Sequence, residues 1–405
     1  MYWRNISSVL AGSLVAQIIP ILGSIFITRI FAPSEFGNFS AWLAVVYFTS
    51  VVITLRFEAA LAIVEDGIER LKAAFIVFFI TTATAVILFI SVILGKDFLL
   101  NYTYFSNSMT TLLTIVPAAL LLALNQVCQM WAAAEGMYRK LVIMRLVQAA
   151  TLIVVQIGLG LIDPNSLSLV AGFAIASVIG LGSSMAMMPK FSYIQNSSIQ
   201  EFKSFFKKYR KFPLLALPAD SINNAVAQLP ILIVSLRFGN EVAGYLALTM
   251  RVLGAPVGLI GKAVLDVFKR NALQDIQKTG NCSNLYVKTF SMLTLASLVL
   301  IVGTIFLAED IFRIVFGLDW IVSGQMAKWL LPMFALGMIA SPLSYLTYLV
   351  EKQHIDLLWQ SALMGSTLIN LNLFPTYEST LIAHSIGYAC MYVFYIFISY
   401  KLSKG

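Results

Sequence analysis

Charge is what this sequence lacks. Of its 405 residues 11% are Asp, Glu, Lys or Arg, while 59% are hydrophobic. Ordinary soluble domains are about one quarter charged, so a soluble enzyme or binding module is excluded. Histidine is nearly missing. His354 and His384 are far apart, which removes the usual His-rich metal spacings. No metal and no cofactor is expected. Cys128, Cys282 and Cys390 are odd in number and scattered, so no disulfide framework follows. The net charge of +8 comes without a basic block interleaved with exposed aromatics. Nucleic acid is therefore not an expected partner; Lys and Arg here read as topology signals. No polar segment is large enough to fold outside the apolar runs.

What fills the chain is a succession of apolar runs. A bilayer span takes about 20 mostly apolar residues, because no water is there to satisfy the backbone. Twelve spans are predicted, at 6–30, 39–64, 73–94, 109–134, 141–162, 167–188, 212–236, 243–267, 286–308, 325–350, 355–374 and 381–402. The first is too long for a signal-peptide core and lacks a clear cleavage site, so it reads as a retained helix. The longest gap, 189–211, separates two sets of six. The expected fold is an all-α integral membrane protein of about 12 transmembrane helices. Its N-terminal six-helix lobe is 1–188, its cytoplasmic linker 189–211 and its C-terminal lobe 212–405, with a central cavity between the lobes.

An internal match supports two related halves. Arg29-Ile30-Phe31-Ala32-Pro33-Ser34-Glu35-Phe36-Gly37-Asn38-Phe39 joins spans one and two, and Arg237-Phe238-Gly239-Asn240-Glu241-Val242-Ala243-Gly244-Tyr245 joins spans seven and eight. Each has a basic residue, a polar turn, a Glu, then a Gly close to an aromatic. The ends of spans four and ten match as well, Trp131 to Glu135 against Tyr348 to Glu351. Six spans per half make the repeat parallel. With the N-terminus in the cytoplasm, 20 of the 27 Lys and Arg fall on cytoplasmic segments and 5 outside, with Arg56 and Arg251 inside spans. That bias places both termini in the cytoplasm. In the linker, Phe202, Phe205, Phe206 and Tyr209 alternate with lysines, as in an amphipathic surface helix.

Ionisable residues inside hydrocarbon are costly and tend to face a wet or protein interior. In span eight, Arg251, Ala255, Gly258, Lys262 and Asp266 share one helix face. In span seven, Asp220, Asn224 and Gln228 form a stripe at i, i+4 and i+8, and in span one Ser13, Gln17, Ser24 and Thr28 form another. Span two ends with Arg56 and Glu58, which at i, i+2 on a helix cannot pair. Span four adds Asn125, Gln126 and Gln129. The bland reading is that the uncharged polar residues are interhelical glue, that Arg56 and Lys262 snorkel, and that Arg29 complements a helix C-terminus. Arg251 and Asp220, deeper in their spans, are expected to face the cavity.

At three places the sequence resembles the Wzx-type polysaccharide flippases of the multidrug/oligosaccharidyl-lipid/polysaccharide exporter superfamily. These are the Arg29…Phe39 turn, Arg56-Phe57-Glu58, and Ala134-Glu135-Gly136-Met137-Tyr138-Arg139. The resemblance implies a flippase of the bacterial inner membrane that moves an undecaprenyl-pyrophosphate-linked oligosaccharide from the cytoplasmic to the periplasmic leaflet by alternating access. It implies H⁺ or Na⁺ as coupling ion, with a polysaccharide polymerase and chain-length machinery as partners. Arg251, Lys262, Arg56 and Arg29 are then the candidate pyrophosphate cations, Asn224, Gln228 and Gln17 glycan-facing groups, and Asp220 and Glu58 coupling carboxylates. A multidrug cation antiporter of the same architecture is the alternative, and a polytopic polymerase a more distant one. Lipid II flippases usually have two further spans.

Overall fold

The computed structural model describes residues 18–97, 109–189 and 199–404. Among the described residues there is no strand, and a helix stands at each of the twelve expected spans. In chain order these are α1 Ile18–Ile30, α2 Pro33–Thr54, α3 Ile68–Leu94, α4 Met109–Ala134, α5 Tyr138–Gly160 and α6 Ser166–Met187. The linker supplies α7, Ile199–Tyr209. Then follow α8 Leu217–Phe238, α9 Asn240–Thr279, α10 Ser283–Ile311, α11 Ile321–Leu343, α12 Gln353–Leu373 and α13 Tyr377–Leu402. Nine of them, among the described residues, are long and apolar enough to cross a membrane: α2–α6, α9–α11 and α13. Helix α10 carries Leu295, Val299, Val302 and Phe306 exposed along one side. An exposed stripe that apolar, at helical spacing, suits hydrocarbon rather than water.

Two compact units divide the chain: Met1–Phe31 with Asn38–Gln228, and Ala32–Gly37 with Leu229–Gly405. In the first, buried and half-buried polar side chains link helices as glue does in lipid. Trp42 donates to Thr114 (3.2 Å), Asn38 to Ser166 (3.0 Å), Ser184 to Asn125 (2.7 Å) and Gln156 to the Leu169 carbonyl (3.0 Å). Gln129 of span four bonds Gln148 and receives Arg145, so that residue and Asn125 take the bland role. Around them Phe57, Val77, Cys128, Trp131 and Met144 form a core cluster. The aromatic face of α7 packs onto it. Phe205 and Tyr209 are buried, and Phe202 meets Phe79 edge-on at 5.2 Å.

The second unit contains the first turn of α2. Gly37 and Gly244, equivalent members of the two repeated turns, lie against the opposite helix's backbone. A Cβ on Gly37 would fall 1.7 Å from the Asn240 carbonyl oxygen, and one on Gly244 2.0 Å from that of Pro33. Only glycine permits that approach. The glycine of the repeated motif is therefore a packing requirement, and the motif's two copies meet each other. Deeper in, Thr249 donates to the Ser323 carbonyl (2.9 Å) and Ser297 to that of Ala335 (3.0 Å). Helix α9 is 40 residues long with Pro256 inside it.

The second sequence match also has a structural basis. Helix α4 closes with Met137 N–H on the Ala132 carbonyl and Gly136 N–H on Ala133; the turn after residues 346–349 closes with Lys352 N–H on Thr347 and Glu351 N–H on Tyr348. Both are Schellman turns. Their left-handed residues are Gly136 (φ 67) and Glu351 (φ 57). The equivalent of Glu351 is thus Gly136, one residue beyond the Glu135 that sequence alignment pairs with it.

Candidate functional site

The site begins where α2 stops. Thr54 turns its hydroxyl back to the Val51 carbonyl (3.0 Å), and Leu55 N–H bonds Val52 rather than continuing the α-helical ladder. Leu55 (φ 49) and Arg56 (φ 60) then adopt left-handed backbone, which costs an L-residue about 1–2 kcal/mol each. Burial of the next residue holds them there. Phe57 is fully buried, with Phe205 and Phe206 of α7 at 5.7 and 5.3 Å. A 3₁₀ turn, Phe57–Ala62, follows.

That break corrects the expectation that Arg56 and Glu58 cannot pair. The geometric argument assumed one continuous helix to residue 64; across two left-handed residues the i, i+2 side chains converge. Arg56 Nη1 donates to Glu58 Oε1 at 2.7 Å, and Nε lies 2.5 Å from Asp220 Oδ2 without the alignment of a hydrogen bond. Asp220 comes from the first turn of α8, after the π-helical turn Phe212–Ala216; such turns are frequent at functional sites. Glu58 is buried, while Arg56 and Asp220 keep 30% and 36% of their side-chain surface exposed, so this ion pair is open to exchange. Two buried acceptors lack donors: Glu58 Oε2 and Asn224 Oδ1, the latter one turn along α8 from Asp220. One guanidinium between two carboxylates leaves the cluster one negative charge in excess when all three are ionised.

The remaining candidates lie elsewhere. Gln228 continues the α8 stripe and is half-buried; Arg29 is exposed at the end of α1, and Arg56 follows the opposite end of α2, about 33 Å away along that helix. In the second unit Arg251 sets its guanidinium over the Phe36 ring at 5.2 Å, a cation–π contact. Lys262, three turns on, is exposed. Gln17 lies outside the described residues.

Two constellations went unseen in sequence. Arg70 is buried and spends its fork on the Leu61 carbonyl (2.9 Å), the Val64 carbonyl (2.7 Å), the Ala134 carbonyl (2.9 Å), Glu135 (3.1 Å) and Asp66 (2.5 Å). Glu135 also accepts Gly67 N–H at 3.0 Å. The Ala134-Glu135-Gly136 motif thus belongs to a clamp that fixes the α2–α3 connection against the end of α4. In the second unit Asp356 is buried with three donors: Tyr348 (2.9 Å), Gln360 (2.8 Å) and Tyr395 (2.8 Å). The i, i+4 spacing of Asp356 and Gln360 was a legible signal; the tyrosines were not. His384 is buried beside Tyr388 with Nδ1 unpartnered.

Residues 26–325 match the family model described as "Polysaccharide biosynthesis protein". No curated protein matches the chain by sequence. Among solved structures, the lipid II flippase MurJ in an inward closed conformation has a TM-score of 0.73 at 16% identity, covering 96% of this chain and 87% of its own. The MATE multidrug transporter DinF-BH gives 0.68 at 16% identity, covering 97% and 93%. A MOP superfamily transporter from Pyrococcus furiosus, described as having a binding pocket of reverse polarity, gives 0.56 at 10%, covering 96% and 94%. The fold is that of MOP-superfamily transporters, all-helical with two lobes, and the chain is a multi-pass membrane protein.

Proposed function

The chain belongs to the polysaccharide biosynthesis protein family, and from that premise we propose that it is a flippase for an undecaprenyl-pyrophosphate-linked oligosaccharide, an O-antigen or related repeat unit. It moves this lipid from the cytoplasmic to the periplasmic leaflet of the bacterial inner membrane by alternating access, with both termini cytoplasmic. The observation that carries the reading is Arg56 held between Glu58 and Asp220 at a helix break. A guanidinium offers five donors in a planar fork matched to phosphate oxygens. An arriving pyrophosphate competes with the half-exposed Asp220 for that fork. Released, Asp220 takes up H⁺ or Na⁺, so occupancy by substrate and by ion is linked at one arginine. The orphan oxygens of Glu58 and Asn224 are further acceptors for that ion or for glycan hydroxyls. Arg251, Lys262, Arg29, Gln228 and Gln17 are retained as further substrate-facing candidates, with polymerase and chain-length machinery downstream.

The test is made in cells lacking the gene, measuring surface polysaccharide and inner-leaflet lipid-linked repeat together. Wild type, Arg56→Lys, Asp220→Asn, Glu58→Gln and Arg251→Ala are added back at equal expression. The expected result is completed repeats trapped inside without the gene, full rescue by wild type, and a large loss with Arg56→Lys. Asp220→Asn retains export only where the coupling ion is no longer limiting. Full transport by both Asp220→Asn and Glu58→Gln at neutral and alkaline pH removes the coupling role. Normal surface glycan in the deletion strain removes the flippase reading. A second reading, export of organic cations, draws on the excess carboxylate of the cluster. Sensitivity of the deletion strain to cationic dyes with normal surface glycan is its signature.

A further inference from the structure

Below α7, on the first unit, is a cavity of about 260 Å³ whose chemistry the translocation reading does not use. Charge is supplied by Glu65 just before α3, by Glu69 and Lys72 in its first turns, and by Glu201 and Lys208 of α7; Val64, Ala73, Ile76 and Phe205 supply the apolar lining. Ser204 and Tyr209 complete the lining, and an apolar surface continues from it. Along α3 it runs to Phe79 and then to Val86, Ile87 and Ile90, all exposed and apolar. A hydrocarbon-facing helix surface thus rises into a charged notch at the level where Lys and Arg leave the bilayer.

We propose that this notch binds the headgroup of a phospholipid carrying both a phosphate and a primary ammonium, that is, phosphatidylethanolamine. The charges select it. Three carboxylates and two ammonium groups give the cavity one excess negative charge, which disfavours a purely anionic headgroup such as phosphatidylglycerol. A zwitterion satisfies both signs. Its phosphate meets Lys72 and Lys208, and its ammonium meets Glu65, Glu69 and Glu201 through charge-assisted hydrogen bonds. Lys72 holds Glu69 at 2.9 Å, so the phosphate shares that lysine and the freed Glu69 oxygen faces the ammonium. A choline headgroup has no N–H to donate, so phosphatidylcholine loses those bonds. The volume is below the roughly 300–1,000 Å³ of drug-sized pockets, enough for a headgroup with its acyl chains outside on α3.

The position gives the lipid a lever. The same α7 residues that wall the notch, Phe205 with its neighbour Phe206, cover Phe57, which lies between Arg56 and Glu58. A headgroup bridging α3 and α7 holds that cover in place.

The experiment is native mass spectrometry of the purified full chain with phosphatidylethanolamine, its N-methylated series and phosphatidylglycerol at equal concentrations. Expected is retention that falls stepwise with N-methylation, about tenfold in all for the loss of charge-assisted donors, with phosphatidylglycerol no better than phosphatidylcholine. Glu201→Gln and Lys208→Gln each reduce phosphatidylethanolamine retention several-fold, and both are conservative, exposed or half-exposed positions that leave the fold intact by thermal midpoint. Ser204→Trp, which fills the notch, abolishes the preference. Equal retention across the methylated series, a preference for phosphatidylglycerol, or unchanged retention in Glu201→Gln overturns the proposal. Transport of glycan by these variants is a separate readout, so failure of the flippase reading leaves this test intact.

Discussion

Replacing Arg70 by Lys keeps the charge and removes the geometry, which isolates what the clamp contributes. The native guanidinium reaches five acceptors spread around its plane, three of them backbone carbonyls at Leu61, Val64 and Ala134. A lysine ammonium has three donors at a single point. Placed to keep Glu135 and Asp66, it leaves at least two of those carbonyls without a donor. Each such buried group costs about 1–3 kcal/mol, so two of them cost about 2–6 kcal/mol. At about 2–4 °C per kcal/mol for a unit of this size, the thermal midpoint falls by about 4–24 °C.

A reporter is already in place. Cys128 is fully buried in the same core cluster. Thermal unfolding read by a thiol-reactive dye, with Cys282→Ser and Cys390→Ser in the background, therefore reports the first unit. Glu135→Gln is the graded control. It keeps an oxygen for Gly67 N–H and Arg70, and is expected to lose about 1 kcal/mol. An Arg70→Lys midpoint equal to the parent's refutes the clamp and returns Arg70 to the role of a topology signal.

Three further outcomes are expected. Gly37→Ala and Gly244→Ala each drive a methyl into backbone, Asn240 O and Pro33 O respectively, where no rotamer change relieves the overlap; both should lower the midpoint by more than Gly258→Ala, which meets nothing within 4 Å, and equal midpoints for the three overturn the reasoning. Cys282, 2% exposed, reports here in place of Cys128. Burial pushes its thiol up to about 11, so below that pH the reactive thiolate stays scarce and labelling at neutral pH begins only when the unit opens. Rapid labelling of native protein at neutral pH contradicts that. Tyr395→Phe strips a donor from buried Asp356 and should cost about 1–3 kcal/mol, readable with the same probe, while an unchanged midpoint would show that the carboxylate is solvated.

The helices were legible because hydropathy and length are local properties, and each expected span has its helix. The repeat was legible too, down to the glycines that meet. What sequence could not reveal is where a helix stops for tertiary reasons. Nothing between Val52 and Glu58 is Gly, Pro or Asn. The break after Thr54 exists because Phe57 is captured by aromatics roughly 150 residues on. Periodicity therefore ran span two to residue 64 and ruled out the Arg56–Glu58 pair. Asp220 and Asn224 were picked out by spacing, but the meeting of Asp220 with Arg56 depends on α8 being brought to the end of α2. Arg70 was read as a topology charge because its partners are mostly backbone carbonyls, which carry no residue signature. Tyr395 lies 39 residues from Asp356, and nothing local connects them.

Helix α9 has one more consequence. Its 40 residues make a rod of about 60 Å, twice the roughly 30 Å of bilayer hydrocarbon. At least half of it must stand clear of the acyl chains, ending in the polar run from Lys269 to Thr279. The far end is not loose: Phe268 and Ala272 are buried in one cluster with Cys282 and Tyr286 at the start of the next helix. The shaft is most compliant at Pro256, where the Val252 carbonyl has no N–H to meet. Bending between that anchored end and the segment carrying Arg251 is thus concentrated at one residue.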